Sequence, residues 1–259
     1  MAEIHEAGDE PLLLAQQCPG AAVVVDESKT HAAQIAAARF HPEVILVDDG
    51  FQHRRLHRDL NLIVISARMV LQKPWLLPAG PLREPLANAQ RADVVLLTDS
   101  HDLNNNDRKR IAALCRLKST ARVFPIEFLV DEIRPVFEGK NLATLERHHA
   151  SALLVSGIAF PERFRRSAEA VDVRVCGHLV YGDHHRYSEK DLEHLLRTFQ
   201  RLHADIMLTT AKDAIKLRGF AQLEALPIYA LGIRFSAEES LVSGLLQAAM
   251  PARDLTSVR

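Results

Sequence analysis

A chain of 259 residues has room for one large or two small domains, and 47% apolar with 25% charged residues is an ordinary globular balance. A formal net charge of −1 excludes a broad electrostatic nucleic-acid binder. No apolar run reaches the length of a membrane span, and the acidic start lacks the apolar stretch of a signal peptide, so the chain reads as soluble or peripheral.

Taken in order, Leu12 to Gln17 reads as a short helix and Ala21 to Val25 as a buried strand. Ser28 caps an alanine-rich helix running to Phe40. Val44 to Val47 are consecutive β-branched or aliphatic residues, which predicts a short, fully buried central strand. Leu62 to Ile65 and Val94 to Leu97 are two more strands. Asn106 or Asp107 caps a helix with Ile111, Leu114 and Leu117 on one stripe. Strands alternating with helices indicate an α/β fold with a parallel sheet flanked by helices.

The pattern then changes. Val123 to Val130 and Ile133 to Phe137 are extended, and Asp131-Glu132 reads as a turn between them, giving a two-stranded hairpin linker. A second α/β unit follows. Leu153 to Val155 is a strand, Pro161 suits a first helical turn, and Val171 to Leu179 is another strand. Ser188 with Asp191 starts a helix whose apolar stripe is Leu192, Leu195, Leu196, Phe199 and Leu202. Ile206 to Leu208 and Ile228 to Leu231 are strands, Ser236 and Glu239 begin a last helix, and the tail from Pro251 is polar. The expected domains are residues 1–121, a linker at 122–146, and a smaller α/β domain at 147–259. Cys18, Cys115 and Cys176 lie far apart without metal or redox spacing, and their odd number argues for a reducing compartment.

Chemistry is concentrated around Asp48 and Asp49. Two carboxylates at the carboxyl end of a buried strand stand where α/β sheets bind ligands, and hard cations such as Mg²⁺ prefer carboxylate oxygens. The bland reading is a strand followed by a turn at Asp49-Gly50. The residues around the pair narrow the choice. Asp48-Asp49-Gly50-Phe51-Gln52-His53-Arg54-Arg55-Leu56, followed by Arg58-Asp59-Leu60, resembles the signature of the tetraacyldisaccharide 4'-kinase family. Leu77-Pro78-Ala79-Gly80-Pro81-Leu82-Arg83-Glu84-Pro85 is similar to that family's next motif, and Gly8-Asp9-Glu10-Pro11 and Thr210-Ala211-Lys212-Asp213 resemble two more of its blocks. In the last of these Ala211 stands where the family has Glu, and Val70 to Trp75 stands where it commonly shows Gly-Asn-Gly.

The resemblance implies a P-loop-kinase-like fold that phosphorylates the 4'-hydroxyl of the lipid A disaccharide precursor with ATP and Mg²⁺. It also implies peripheral association with the cytoplasmic face of the bacterial inner membrane, with a glycolipid and no nucleic acid as partner. Asp48 and Asp49 are then the Mg²⁺ ligands, with Asp49 also catalytic. Gln52, His53 and Arg54 join them in the nucleotide cleft. Arg83 is an anion contact, and Glu84 a substrate or Mg²⁺ partner. Asp9 is the base, because a sugar hydroxyl is a poor nucleophile until a carboxylate takes its proton. His184, in Tyr181-Gly182-Asp183-His184-His185-Arg186-Tyr187, is the residue that works with it. Local sequence alone offers blander roles: Asp9 opening the helix at Pro11, Asp183-His184 capping a loop, Thr210 and Asp213 forming a capping box.

The phosphate-cradling pattern Gly-x-x-x-x-Gly-Lys-[Ser/Thr] does not occur; the one Gly-Lys, Gly139-Lys140, is followed by Asn141. The chain therefore reads as an N-terminally truncated or degenerate family member. Two alternatives follow: a catalytically inactive relic that keeps a lipid-binding fold, and a Mn²⁺-dependent phosphoesterase suggested by Asp183-His184-His185.

Overall fold

The computed structural model describes residues 8–72, 74–139, 150–236 and 241–245. The chain forms two compact units that interleave in sequence: residues 1–25 group with 129–234, and 26–128 with 235–259. The start of the last predicted helix, after Ser236, and the tail from Pro251 lie outside the described residues; 241–245 are helical.

The unit built on residues 26–128 holds a three-stranded parallel sheet. Its strands are β1 (Leu62–Ser66), β2 (Val94–Thr98) and β3 (Arg122–Pro125), in the order β1-β2-β3. β2 is central and every one of its residues is buried. Strand alternation sends Val95 and Leu97 into a core with Ile65, Val70, Ile111 and Cys115, and Val94 and Leu96 into a second core with Ile126 and Leu241. The Asn104 side chain, two residues ahead of the predicted cap, accepts from Asp107 N at 3.0 Å and opens the helix Asn105–Leu114. The Ser28-capped helix spans Lys29–Phe40 as expected.

Two expected strands are absent. Ala21 to Val25 and Val44 to Val47 join no sheet, and Leu46 is 91% exposed. An apolar run becomes a strand only when a neighbour takes up its backbone N–H and C=O groups, and among the described residues neither run has such a neighbour. Asp48 and Asp49 therefore sit in a turn after an unpaired segment, not at the end of a central strand.

The other unit is a five-stranded sheet in the order β4-β8-β7-β5-β6. Its strands are β4 (Glu127–Pro135), β5 (Ser151–Ser156), β6 (Arg174–Val180), β7 (Ile206–Thr210) and β8 (Ile228–Ser236), and β6, β5, β7 and β8 pair in parallel. β5 and β7 are buried throughout. Leu153, Val155 and Met207 pack with Leu192 and Leu195 of the helix Glu189–Arg201 and Leu217 of the helix Ala211–Leu217. Ala152, Leu154 and Leu208 pack with Phe164 and Ala168 of the helix Pro161–Glu169, which forms the other layer. The predicted hairpin at 123–137 does not form. β4 runs straight through Asp131 and Glu132 and lies beside β8, so its pairing comes from a distant strand rather than from its own neighbour.

Candidate functional site

In a parallel sheet the loops after each strand gather at one edge, where α/β proteins bind ligands. In the five-stranded unit that edge receives Gly157 after β5, residues 181–185 after β6, and Thr210, where β7 passes into its helix. Asp213, with no exposed surface, ties them together. Its Oδ2 accepts from Gly157 N at 2.8 Å and from Thr210 Oγ1 at 2.7 Å. A Cβ at Gly157 would stand 3.1 Å from Asp213 Oδ1 and 3.2 Å from His185 Cβ, so only glycine leaves the approach free.

The helix Asp9–Gln17 packs on the helix Ala211–Leu217, which brings Asp9 to this edge. His184, held in the left-handed region at φ 57°, reaches it from the β6 loop, and its Nδ1 lies 3.2 Å from Asp9 Oδ1. The pair expected from the resemblance thus meets across 175 residues. Asp9 also fills its blander role, since Oδ1 accepts from Glu10 N at 3.0 Å in the first helical turn. Lys216 Nζ stands 3.0 Å from Asp9 Oδ2 and 3.3 Å from Asp213 Oδ1. Lys212 Nζ touches Glu10 Oε1 at 3.1 Å, Asp183 Oδ1 at 3.3 Å and His184 Nε2 at 3.3 Å.

Burial of the Asp9 carboxyl pushes its pKa up, but the contact and charge of Lys216, then Lys212 and His184, outweigh that and hold it below the usual carboxylate value. Burial likewise pulls the Lys212 ammonium down, and Glu10, Asp9 and Asp183 more than reverse it. Asp9 is an ionised carboxylate at neutral pH, able to accept a proton, with Oδ1 hydrogen-bonded and Oδ2 ion-paired to Lys216. The two lysines carry no role in the sequence reading, although their i, i+4 spacing already places both on one helix face.

The acid pair lies in the other unit. Asp49 has φ 48°, and its Oδ2 accepts from Arg83 Nη1 at 2.7 Å, which joins the two family-like motifs. Asp48, Gln52, His53 and Arg54 are exposed nearby in sequence, on a turn stapled by Arg58, whose Nη1 donates to Gly50 O at 2.9 Å and His53 O at 2.7 Å. The Glu84 carboxylate accepts from Arg91 Nη2 at 2.9 and 3.1 Å and from Asn88 Nδ2 at 2.8 Å. Arg91 also lies over the Phe51 ring at 4.5 Å. Beside it, Arg54, Asn88, Gln90, Arg91, Arg116 and Lys118 line a cleft of about 470 Å³ with no carboxylate in its wall. Such a lining suits a phosphate-bearing molecule. Asp48 and Asp49 are exposed carboxylates, the donor type that a hard cation such as Mg²⁺ takes, and one oxygen of Asp49 is engaged by Arg83.

Asp183 and His184 meet at Lys212, but His185 turns away from them. His184 turns to Asp9 and Lys212, while His185 Nε2 lies 3.1 Å from Asp191 Oδ2. Among the described residues no three His, Cys, Asp or Glu side chains gather to hold a metal, and the phosphoesterase expectation has no geometry behind it.

An acid–base cluster at the carboxyl edge of a parallel sheet defines an α/β protein of the ligand-binding class. A model of the family Tetraacyldisaccharide-1-P 4'-kinase matches residues 1–250. The chain is 36% identical over 211 residues to the tetraacyldisaccharide 4'-kinase of Bdellovibrio bacteriovorus, covering 82% of this chain and 62% of that protein. It is 33% identical over 246 residues to that of Syntrophus aciditrophicus, covering 88% and 63%. Among solved structures, LpxK from Aquifex aeolicus in complex with ATP superposes with a TM-score of 0.69 at 29% identity, over 96% of this chain and 71% of that one. The chain belongs to the tetraacyldisaccharide-1-P 4'-kinase family. It spans less than two thirds of the length of the Bdellovibrio and Syntrophus relatives.

Proposed function

We propose that this chain transfers the γ-phosphoryl group of ATP to the 4'-hydroxyl of tetraacyldisaccharide 1-phosphate, the lipid A precursor, working peripherally at the cytoplasmic face of the bacterial inner membrane. The observation that carries the reading is the Asp9–His184 contact, made by two family-like motifs from opposite ends of the chain. No helix among the described residues is long and apolar enough to cross a membrane.

Asp9 takes the proton of the 4'-hydroxyl as its oxygen bonds to phosphorus, and ADP departs with the electrons of the broken P–O bond. His184 orients the Asp9 carboxylate, and Lys216 holds its second oxygen. Asp48 and Asp49 would hold Mg²⁺, which when bound neutralises charge on the phosphates. Arg83 fixes Asp49, and Arg54, Arg91, Arg116 and Lys118 supply positive charge for phosphate groups.

The test is incubation of the purified chain with Mg-ATP and tetraacyldisaccharide 1-phosphate, with the product read by mass spectrometry. One added phosphate on the 4'-oxygen is expected, lowered about a hundredfold or more in Asp9→Asn. A folded chain that yields no product at saturating ATP overturns the assignment, and full turnover by Asp9→Asn removes Asp9 as base.

A further inference from the structure

His184 has two ring nitrogens, and the structure gives each a partner. Nδ1 lies 3.2 Å from Asp9 Oδ1, and Nε2 lies 3.3 Å from Lys212 Nζ. An ammonium has only donors, so a ring nitrogen facing it must offer a lone pair. We infer that Lys212 is a positioning residue that keeps His184 Nε2 bare: its ammonium donates to that nitrogen, so the single ring proton sits on Nδ1, where the Asp9 carboxylate accepts it.

Lys212 is built to do this. Its side chain is 14% exposed and is held by Glu10 and Asp183 as well as by the imidazole. The acids around it keep the ammonium charged, in line with its raised pKa. One group opposes the arrangement. Asp183 Oδ2 lies 3.9 Å from Nε2 and would favour a proton there, but that is beyond hydrogen-bond reach, and Asp183 Oδ1 is engaged by Lys212 and by the His184 backbone N–H. The backbone of His184, at φ 57°, turns the ring so that both contacts form at once.

The consequence for the reaction rests on the reading of Asp9 as base. A proton on Nδ1 lets a neutral ring donate to Asp9 Oδ1 and orient the carboxylate, with no second positive charge set beside Lys212. The tautomer itself does not depend on that reading. Neighbouring His185 gives a built-in contrast, because its Nε2 faces a carboxylate oxygen of Asp191, which calls for a proton on Nε2.

The test is long-range ¹H–¹⁵N correlation on the chain labelled at histidine, at neutral pH. The unmodified chain is expected to show His184 with Nδ1 protonated and Nε2 bare, and His185 with Nε2 protonated. In Lys212→Met, His184 Nε2 loses its donor and is left facing Asp183, so its resonance moves toward the protonated position, while Nδ1, still facing Asp9, stays protonated and His185 stays as it was. Lys212→Arg, which keeps a charged donor, keeps the original pattern, and Lys212→Leu, which also lacks a donor, serves in place of the Met variant if that one fails to fold. A protonated Nε2 on His184 in the unmodified chain, or a pattern that the donor-free variant Lys212→Met or Lys212→Leu leaves unchanged, overturns the proposal. Kinase activity that survives Asp9→Asn would overturn the reading of Asp9 as base and leave the tautomer result standing, so the two failures are distinguishable.

Discussion

Asp9 is the residue in which stability and proposed chemistry meet. Its folded pKa is depressed, so the stability it contributes is fully present above the unfolded aspartate value of about 3.9 and is lost as pH falls through the folded value. Asp9→Asn leaves Lys216, 10% exposed, facing Asp213 but no second carboxylate. The variant is therefore expected to be less stable than the unmodified chain at pH 7, with the gap closing as pH drops below about 4. Urea midpoints measured from pH 7 down to pH 3 check this, and a gap that is constant with pH would show that the Asp9 charge contributes nothing to folding. At this scale the sequence revealed residue types and not partners. Asp9 and His184 were legible through family motifs, whereas Lys212 lay in a family-like block without an assigned role and Lys216 showed only its helical spacing from it, and their partners Asp9, Glu10, Asp183 and His184 arrive from elsewhere in the chain.

At the scale of elements, caps and stripes were read most directly. Ser188 accepts from Asp191 N while Asp191 Oδ2 accepts from Ser188 N at 2.8 Å, a complete capping box at the helix Glu189–Arg201. Asp191 Oδ2 also receives His185 Nε2, so this cap anchors the loop that presents His184. Ser188→Ala is expected to cost about 1 kcal/mol in chemical denaturation. The predicted strands at 21–25 and 44–47 and the hairpin at 123–137 did not form. Apolar content and β-branching say that a segment suits a ladder, but not whether a ladder is available. β4 shows the converse, because a pair of acids that reads as a turn stays extended when β8 lies alongside.

Over the whole molecule, stability concentrates in three strands. β2, β5 and β7 are buried at every position and flanked by strands on both sides. Their amides are expected to exchange slowest with deuterium, and those of 44–47, without strand partners, among the fastest. Hydrogen exchange followed by mass spectrometry tests this, and protection at 44–47 equal to that of β2 would mean the run is paired in solution.

The sequence by itself determined what depends on short range: the alternation of helices and strands, the caps at Ser28 and Ser188, and the motifs that mark the family. Tertiary structure alone decided which apolar runs became strands, that residues 1–25 group with 129–234, and that Asp9, His184, Lys212, Lys216 and Asp213 form one network. The division is physical. Helical periodicity and capping are satisfied within a few residues of the chain, whereas a strand's hydrogen bonds and a buried charge's counter-charge come from partners whose sequence separation carries no local trace.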